Sequence, residues 1–151
     1  MAFEWPVRVY WEDTDAGGIV FYANYLKFFE RARTEWLRSL GIGQQALRER
    51  TGGMFVVTDA QLRYHRPARL DDELIVTASL LEKGRASLTI VQQALLKPEQ
   101  SPAQMSMPTT RQTPAEPARL LSEGTIRIGW VDAATLRPTR IPSTLLEQLT
   151  P

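Results

Sequence analysis

The clearest hydrophobic pattern in the chain runs over residues 24–40. Apolar side chains recur there at intervals of three and four residues, with charged side chains on the other faces, as in an amphipathic helix that covers a core. The apolar positions are Tyr25, Phe28, Phe29, Ala32, Trp36 and Leu40. Gly41 follows directly and is expected to end the helix. We therefore predict one long helix over residues 24–40 and a short second helix over residues 44–50.

Beyond residue 53 the pattern changes to short runs of β-branched and aromatic residues, which are typical of strands. The runs cover residues 54–64, 74–81, 86–96 and 123–131, and a weaker run over residues 7–11, entered from Pro6, precedes the helix. Gly84 lies between the second and third of the four runs, where a glycine can adopt a positive φ, so these two strands are expected to form an antiparallel hairpin. A short terminal helix is predicted over residues 142–149, packed by Leu145, Leu146 and Leu149.

One long helix with about five strands predicts a single α+β domain over residues 1–151, in which an antiparallel sheet covers the apolar stripe of the helix. A proline-rich segment at about residues 98–118 interrupts this pattern. It holds five prolines among Gln, Ser, Thr and Ala residues, a composition that cannot bury enough apolar surface to fold. We predict that this segment is a long mobile loop between two strands.

Composition narrows the functional classes. The formal net charge of +1 provides no overall field for holding nucleic acid or an anionic membrane, and no apolar run approaches the roughly 18 residues of a membrane span. The chain has no cysteine and one histidine, which excludes thiol nucleophiles, disulfides and metal sites rich in Cys or His. We therefore expect a soluble cytoplasmic protein without a nucleic-acid partner, a metal or a cofactor.

The residues best suited to chemistry lie just before the long helix. Three acidic residues, Glu12, Asp13 and Asp15, are followed by Gly17 and Gly18 and then by an apolar run that enters the helix. Glycines let the backbone approach a ligand closely, and the first turn of a helix offers unpaired N–H groups with a partial positive charge. A carboxylate beside such donors can act as base or nucleophile while the N–H groups hold a developing oxyanion.

This part of the chain resembles the hotdog-fold acyl-CoA thioesterases of the 4-hydroxybenzoyl-CoA type, in particular the branch associated with the Tol-Pal system. The resemblance is carried by residues 7–25, 29–35 and 64–72, and it extends over roughly residues 7–97 and 119–142. It implies a five-stranded antiparallel sheet wrapped around the central helix, subunits joined as a homodimer or homotetramer, and active sites at the subunit interface. The implied reaction is hydrolysis of an acyl-CoA substrate to a free acid and coenzyme A.

By position, the resemblance assigns the catalytic carboxylate to Asp15 and the group that polarises the thioester carbonyl to the backbone N–H of Tyr22. Gly18 belongs to the glycine pair that lets the backbone approach the thioester. Many members of the Tol-Pal-associated branch carry histidine at the position of Tyr22, so the chain is closer there to the hydroxybenzoyl-type pattern. Whether Asp15 attacks the thioester or activates water stays open. So does a structural use of Asp15 as a turn residue or helix cap, since aspartate favours both.

The neighbouring polar and aromatic residues have plainer interpretations. Glu12 and Asp13 are expected to be solvated or structural. The side chains of Tyr22 and Tyr25 are expected to be core aromatics, so only the N–H of Tyr22 is given a catalytic role. His65 is not accompanied by a G-x-S-x-G elbow, and a structural role or a place at the rim of the ligand site is expected for it.

Three basic residues, Lys83, Arg85 and Arg66, are candidates for binding the phosphates of coenzyme A, because charge-assisted contacts to phosphate are strong and local. The alternative for Lys83 and Arg85 is a solvated hairpin tip. Two other functions stay open. One is a non-catalytic acyl-CoA-binding or scaffolding dimer, since a fold does not fix a function. The other is a hotdog dehydratase, which needs a His/Asp pair in a context that His65 does not provide.

Overall fold

The computed structural model describes residues 2–98 and 118–149. Its elements in chain order are β1 (Phe3–Arg8), α1 (Asn24–Ser39), α2 (Gln44–Thr51), β2 (Gly53–Tyr64), β3 (Glu73–Lys83), β4 (Ser87–Leu96), β5 (Arg119–Asp132) and α3 (Ser143–Gln148). A 3₁₀ turn, Trp11–Asp13, lies between β1 and α1. The predicted long helix, second helix, four later strands and terminal helix are confirmed. The predicted proline-rich loop falls almost wholly on residues 99–117, outside the described residues, and stays a prediction.

The five strands form one antiparallel sheet in the order β1-β3-β4-β5-β2. The expected tight turn joins β3 to β4, and in it the Gly84 N–H donates to the Ser87 carbonyl at 2.8 Å. Gly84 does not have the positive φ on which this turn was predicted. In this order β1 and β2 are the edge strands, while β3, β4 and β5 are paired on both sides. The prediction of an α+β domain with an antiparallel sheet is therefore confirmed.

The first strand lies earlier in the chain than the sequence pattern predicts. The prediction placed it over residues 7–11, after Pro6, whereas β1 covers Phe3–Arg8 with Pro6 inside it. An edge strand tolerates proline because it needs ladder hydrogen bonds on one side only, and β1 pairs with β3 alone among the described strands. The strand ends early because the Asp13 carboxylate accepts a hydrogen bond from the Tyr10 N–H at 2.8 Å, which helps to hold the 3₁₀ turn.

The core consists of two clusters of buried side chains, one along each half of α1. The cluster at the N-terminal half joins α1 to β1 and β3 and includes Val7, Val9, Val20, Tyr25, Phe28, Phe29, Ala32, Leu74 and Val76. The cluster at the C-terminal half joins α1 to α2, α3, β4 and β5 and includes Trp36, Leu37, Ile42, Leu47, Ile90, Ile126, Trp130 and Leu145. Along α1 and β4 a buried polar pair lies between the two clusters, in which Arg33 Nη1 donates to Gln92 Oε1 at 3.0 Å.

The C-terminal end of α1 is closed by hydrogen bonds. Gly41 adopts a left-handed conformation with a φ of 82°, and its N–H donates to the Arg38 carbonyl at 3.0 Å. The Ile42 N–H donates to the Leu37 carbonyl at 2.9 Å, and both of these side chains are buried in the same cluster. This arrangement is a Schellman motif with its hydrophobic contact. The predicted end of the helix at Gly41 is confirmed.

Candidate active site

The acidic motif forms a short β-hairpin immediately before α1. Thr14 and Val20 pair as an antiparallel bridge. The Asp15 N–H donates to the Ile19 carbonyl at 2.8 Å, and the Gly18 N–H donates to the Asp15 carbonyl at 3.1 Å. Gly18 has a φ of 77°, the left-handed conformation that closes a three-residue hairpin loop and that glycine adopts without steric cost. The hairpin therefore presents the Asp15 side chain at the surface.

The two oxygens of the Asp15 carboxylate differ in their surroundings. Oδ1 accepts a hydrogen bond from the Gly17 N–H at 2.8 Å, which makes an Asx turn. A Cβ atom at residue 17 would come within 3.2 Å of Oδ1, so the glycine leaves room for the carboxylate. Oδ2 has no hydrogen-bond partner in the described part of the chain. The turn role considered for Asp15 is thus present, but it leaves one oxygen free to contact water or a thioester.

Asp13 ties this hairpin to the start of α1. Its side chain is buried and accepts the hydrogen bond from Tyr10. Its carbonyl oxygen accepts hydrogen bonds from the Phe21 N–H at 3.0 Å and from Asn24 Nδ2 at 2.8 Å. Asp13 is therefore structural, in agreement with the prediction, and Glu12 beside it is exposed to solvent.

Tyr22 lies in the turn that leads into α1. Its N–H has no acceptor among the described residues, and no side chain caps the first turn of the helix. The prediction of a core aromatic is correct for Tyr25, which is buried and whose hydroxyl accepts a hydrogen bond from the Ala68 N–H at 3.1 Å. It is wrong for Tyr22, whose side chain is 63% exposed because it precedes the helix and packs beside Phe21 and Tyr64 at the surface.

The exposed Asp15 carboxylate and the unpaired Tyr22 N–H therefore belong to one short hairpin and the turn that follows it. Asp15 lies next to the hairpin loop. Tyr22 directly follows Phe21, whose N–H donates to the Asp13 carbonyl at the start of the hairpin. N–H groups at the start of a helix carry a partial positive charge that can hold a developing oxyanion. A nearby carboxylate can act as base or nucleophile. This arrangement suits the transfer of an acyl group to water.

A groove of about 450 Å³ runs along α1 on the side that faces β2. Its sheet wall is apolar and includes Phe55, Val57, Ile126 and Ile128, whereas its helix wall combines Leu26 and Leu37 with the charged residues Lys27, Glu30 and Arg33. Because Leu26 belongs to the first turn of α1, the groove begins close to the helix entry. A larger cavity of about 650 Å³ lies over strands β2 to β5 among polar side chains, and it is lined by none of the predicted site residues. None of the predicted site residues lines the groove either, but the groove reaches the first turn of α1, which closely follows Tyr22.

Two of the predicted phosphate-binding residues, Lys83 and Arg85, lie at the opposite end of α1. Lys83 Nζ donates to the carbonyl oxygens of Leu146 at 3.0 Å and Leu149 at 3.2 Å, so it holds the end of α3. α3 packs in the C-terminal cluster, and α1 has 16 residues, or a length of about 24 Å. Within one protomer the structure therefore does not bring Lys83 or Arg85 next to Asp15.

Arg66, the third of these residues, lies in a segment that runs beside the hairpin. The Leu70 N–H donates to the Gly18 carbonyl at 3.3 Å, and Arg69 forms an antiparallel bridge with Ile19. The side chains of Arg66 and Arg69 are both exposed. Arg69 therefore adds a basic residue beside the hairpin that carries Asp15, whereas Arg66, the residue that sequence reasoning proposed, lies three positions earlier, where its N–H donates to the Leu121 carbonyl.

Sequence reasoning also missed two residues at the helix entry. The Tyr64 hydroxyl donates to the Tyr22 carbonyl at 2.9 Å across 42 positions of sequence, and Asn24 Nδ2 donates to Asp13 as described above. Asparagine is common at helix starts, so Asn24 carried a local signal. Tyr64 carried none, because its partner depends on where the end of β2 meets α1.

Three further features of the described residues concern metal ions, membranes and the single histidine. In residues 2–98 and 118–149, no three His, Asp or Glu side chains are arranged to hold a metal ion. No helix in the same residues is long and apolar enough to cross a membrane. His65 Nε2 lies 3.3 Å from Glu123 Oε1, a surface pairing that fits the structural role expected for this histidine.

Comparisons with known proteins agree on one family. The family model of the thioesterase-like superfamily matches residues 9–149. The chain is 39% identical over 140 residues to the acyl-CoA thioesterase YbgC of Haemophilus influenzae, which covers 93% of this chain and 88% of that protein. It is 37% identical over 147 residues to the acyl-CoA thioester hydrolase YbgC of Escherichia coli O6:H1, with 97% and 94% covered. The solved structure of a probable thioesterase from Bartonella henselae is similar with a TM-score of 0.76 at 26% identity, and the match covers 94% of this chain and 100% of that one.

Proposed function

The chain belongs to the thioesterase-like superfamily, and we propose that it is an acyl-CoA thioesterase, an enzyme that hydrolyses acyl-CoA to a free acid and coenzyme A. Its antiparallel sheet and central helix form the hotdog fold. One observation supports the proposed site above all: the free oxygen of Asp15 and the unpaired N–H of Tyr22 flank the hairpin that enters α1.

In the proposed mechanism, the thioester carbonyl oxygen accepts a hydrogen bond from the Tyr22 N–H, which stabilises the negative charge that develops on this oxygen. Asp15 then acts in one of two ways. As a general base it takes a proton from water, whose oxygen attacks the carbonyl carbon, and the tetrahedral intermediate then breaks its C–S bond to release the acid and coenzyme A thiolate, which takes up the proton. As a nucleophile it attacks that carbon itself and releases coenzyme A thiolate, and water then hydrolyses the mixed anhydride. Gly18 supports both routes, because its left-handed turn holds the hairpin in which Asp15 is exposed.

The proposed enzyme is a homodimer joined through β2, with a homotetramer as a further assembly. β2 is an edge strand of 12 residues, and a free edge offers backbone N–H and C=O groups to a second strand. Val57, in the first half of β2, is 52% exposed, and a second copy would cover this apolar side chain. A symmetric pair of β2 strands would also close over the groove between β2 and α1.

Such a dimer supports the proposed binding of coenzyme A. β2 ends at Tyr64 beside the helix entry, and it begins at Gly53 near the cluster at the other end of α1. A two-fold antiparallel pairing sets the start of one β2 against the end of the other. The turn with Lys83 and Arg85 of one protomer would then face Asp15 and Arg66 of the other protomer. All three residues stay proposed contacts for the phosphates.

The groove along α1 is the proposed site of the acyl group, because a concave surface with an apolar sheet wall suits a hydrocarbon chain. One end of the groove is lined by Leu26, in the turn of α1 that follows Tyr22. The cytoplasmic location also stays a prediction, supported by the sequence without cysteine.

The test is thiol release from a panel of acyl-CoA substrates with short aliphatic, long aliphatic and aromatic acyl groups. We expect saturable turnover of at least one of them. Binding of coenzyme A by calorimetry, with no thiol released from any substrate, would instead indicate a non-catalytic acyl-CoA-binding dimer. Loss of water from a 3-hydroxyacyl-CoA without thiol release would indicate a dehydratase.

A further inference from the structure

The Tyr64 hydroxyl supplies a hydrogen bond that α1 does not provide for itself. In a regular helix the Tyr22 carbonyl would accept from the Leu26 N–H four residues on. The Leu26 N–H instead donates to the Ala23 carbonyl at 3.2 Å. The Tyr22 carbonyl accepts from Tyr64 Oη at 2.9 Å. A side chain at the end of β2 therefore fixes the backbone at the entry of the helix.

This hydrogen bond completes the restraint of both peptide groups of Tyr22. The Tyr22 N–H shares a planar peptide group with the Phe21 carbonyl, which accepts from the Asn24 N–H at 2.8 Å. The Tyr22 carbonyl lies in the next peptide group, which the Tyr64 hydroxyl holds. Because the Phe21 and Tyr22 carbonyls are both held, rotation about the φ and ψ bonds of Tyr22 is restricted. The direction of the free Tyr22 N–H is therefore fixed.

The Tyr64 ring is itself held in place. It packs edge-on against Tyr22, with 6.3 Å between ring centroids, and against the buried Tyr25, with 5.5 Å between centroids. Such aromatic contacts stabilise a ring beyond the burial of its surface. A tyrosine hydroxyl is protonated and able to donate at neutral pH. Partial burial, followed by the neighbouring Tyr22, raises the pKa of the Tyr64 hydroxyl further.

We infer that Tyr64 is a positioning residue for thioester hydrolysis, whose hydroxyl holds the Tyr22 peptide so that the Tyr22 N–H is preorganised for the oxyanion. The inference rests on the proposed function. A preorganised donor stabilises the transition state without reorganising during the reaction. Loss of the Tyr64 hydroxyl therefore lowers kcat more than it weakens the binding of substrate.

The test is the Tyr64→Phe variant, which keeps the ring and removes the hydroxyl. We expect kcat to fall about fivefold to tenfold, as for the loss of one neutral hydrogen bond, with KM within about twofold of the parent. The melting temperature (Tm) is expected to change little, because Tyr64 is 47% exposed and its ring contacts remain. Tyr10→Phe is the matched control: Tyr10 is 61% exposed, and its hydroxyl has no hydrogen-bond partner among the described residues. This control is expected to retain the kcat of the parent.

The outcomes separate this inference from the proposed function. A parent protein that releases no thiol from any substrate overturns the function and the inference together. If the parent is active, a kcat of Tyr64→Phe within twofold of the parent overturns the inference alone. A rise in KM at unchanged kcat would make Tyr64 a binding residue, and an equal loss of kcat in Tyr10→Phe would make the effect unspecific. Either result also overturns the inference.

Discussion

The two ends of α1 satisfy their backbone groups in opposite ways. At the C-terminal end, Gly41 and Ile42 return hydrogen bonds to the last turn, and buried side chains cover it. At the N-terminal end no side chain caps the first turn, and the Tyr22 N–H is free among the described residues. Three aromatic side chains there, those of Phe21, Tyr22 and Tyr64, are at least partly exposed. One end of the helix is thus built for stability, and the other retains unpaired groups and apolar surface that a substrate can use.

This comparison makes a general prediction about substitutions. Changes at the N-terminal end should lower kcat, because the unpaired groups of the proposed site lie there. Changes at the C-terminal end should leave kcat unchanged. Each of the following variants tests one side of this division.

The largest effect is expected for Asp15→Asn. Asparagine keeps the size of aspartate and its oxygen can still accept the Gly17 N–H, so the hairpin should persist. The charge and basicity are lost, and a base or nucleophile carries at least ~10²-fold of rate, or roughly 3 kcal/mol in the barrier. We expect kcat to fall by that factor at an unchanged Tm. Glu12→Gln removes an exposed neighbouring charge and should leave kcat unchanged. Turnover of Asp15→Asn within a few-fold of the parent would remove Asp15 from the mechanism.

An intermediate effect is expected for alanine at the two glycines Gly41 and Gly18. Both have a positive φ, and in both places a Cβ atom would meet no neighbour within 4 Å, so the substitutions impose the same backbone strain. Each should cost about 1 kcal/mol of stability, or roughly 2–4 °C in Tm for a domain of this size. Gly41→Ala should retain the kcat of the parent, whereas Gly18→Ala should lower it by displacing Asp15. Equal kcat values for the two variants would contradict the division between the ends.

The smallest effects are expected for Lys83→Met and Arg85→Met. Phosphate contacts lie far from the thioester and bind ground and transition states alike, so each variant should raise KM for acyl-CoA a few-fold at unchanged kcat. Lys83→Met should also lower Tm by about 1–2 °C, because Lys83 Nζ no longer holds the end of α3. Arg85→Met should not change Tm. Unchanged KM in both variants would mean that this turn does not bind the phosphates of coenzyme A.

The helices and the pairing of β3 with β4 could be predicted because their determinants are local. The period of apolar positions from Tyr25 to Trp36 defines α1, and Gly41 and Gly84 mark the helix end and the hairpin. The bounds of β1 could not be predicted, because they depend on pairing with β3 and on a bond from the Asp13 side chain to the backbone. Local patterns therefore predicted the type of each element better than the limits of this edge strand.

The candidate site was predictable where the motif is contiguous. Asp15, Gly18 and Tyr22 all lie in one hairpin and helix entry, and the resemblance of this stretch to a known family placed them together. Contacts between distant segments could not be predicted. The bond from Tyr64 to Tyr22 spans 42 positions, and the bond from Lys83 to Leu146 spans 63. Each depends on how a strand end is placed against a helix, which no local pattern specifies.

The unlike edges of the sheet have a consequence for how copies of this chain can accumulate. A sheet with two open edges can add copies at both and grow into a filament. Here β1 is only six residues long and contains Pro6, which lacks an N–H and makes a poor template for another strand. The long β2 edge is the one left for pairing, and a two-fold pair would consume it in both copies. In the proposed dimer, growth would stop at a closed pair, and the asymmetry of the sheet would then disfavour polymerisation.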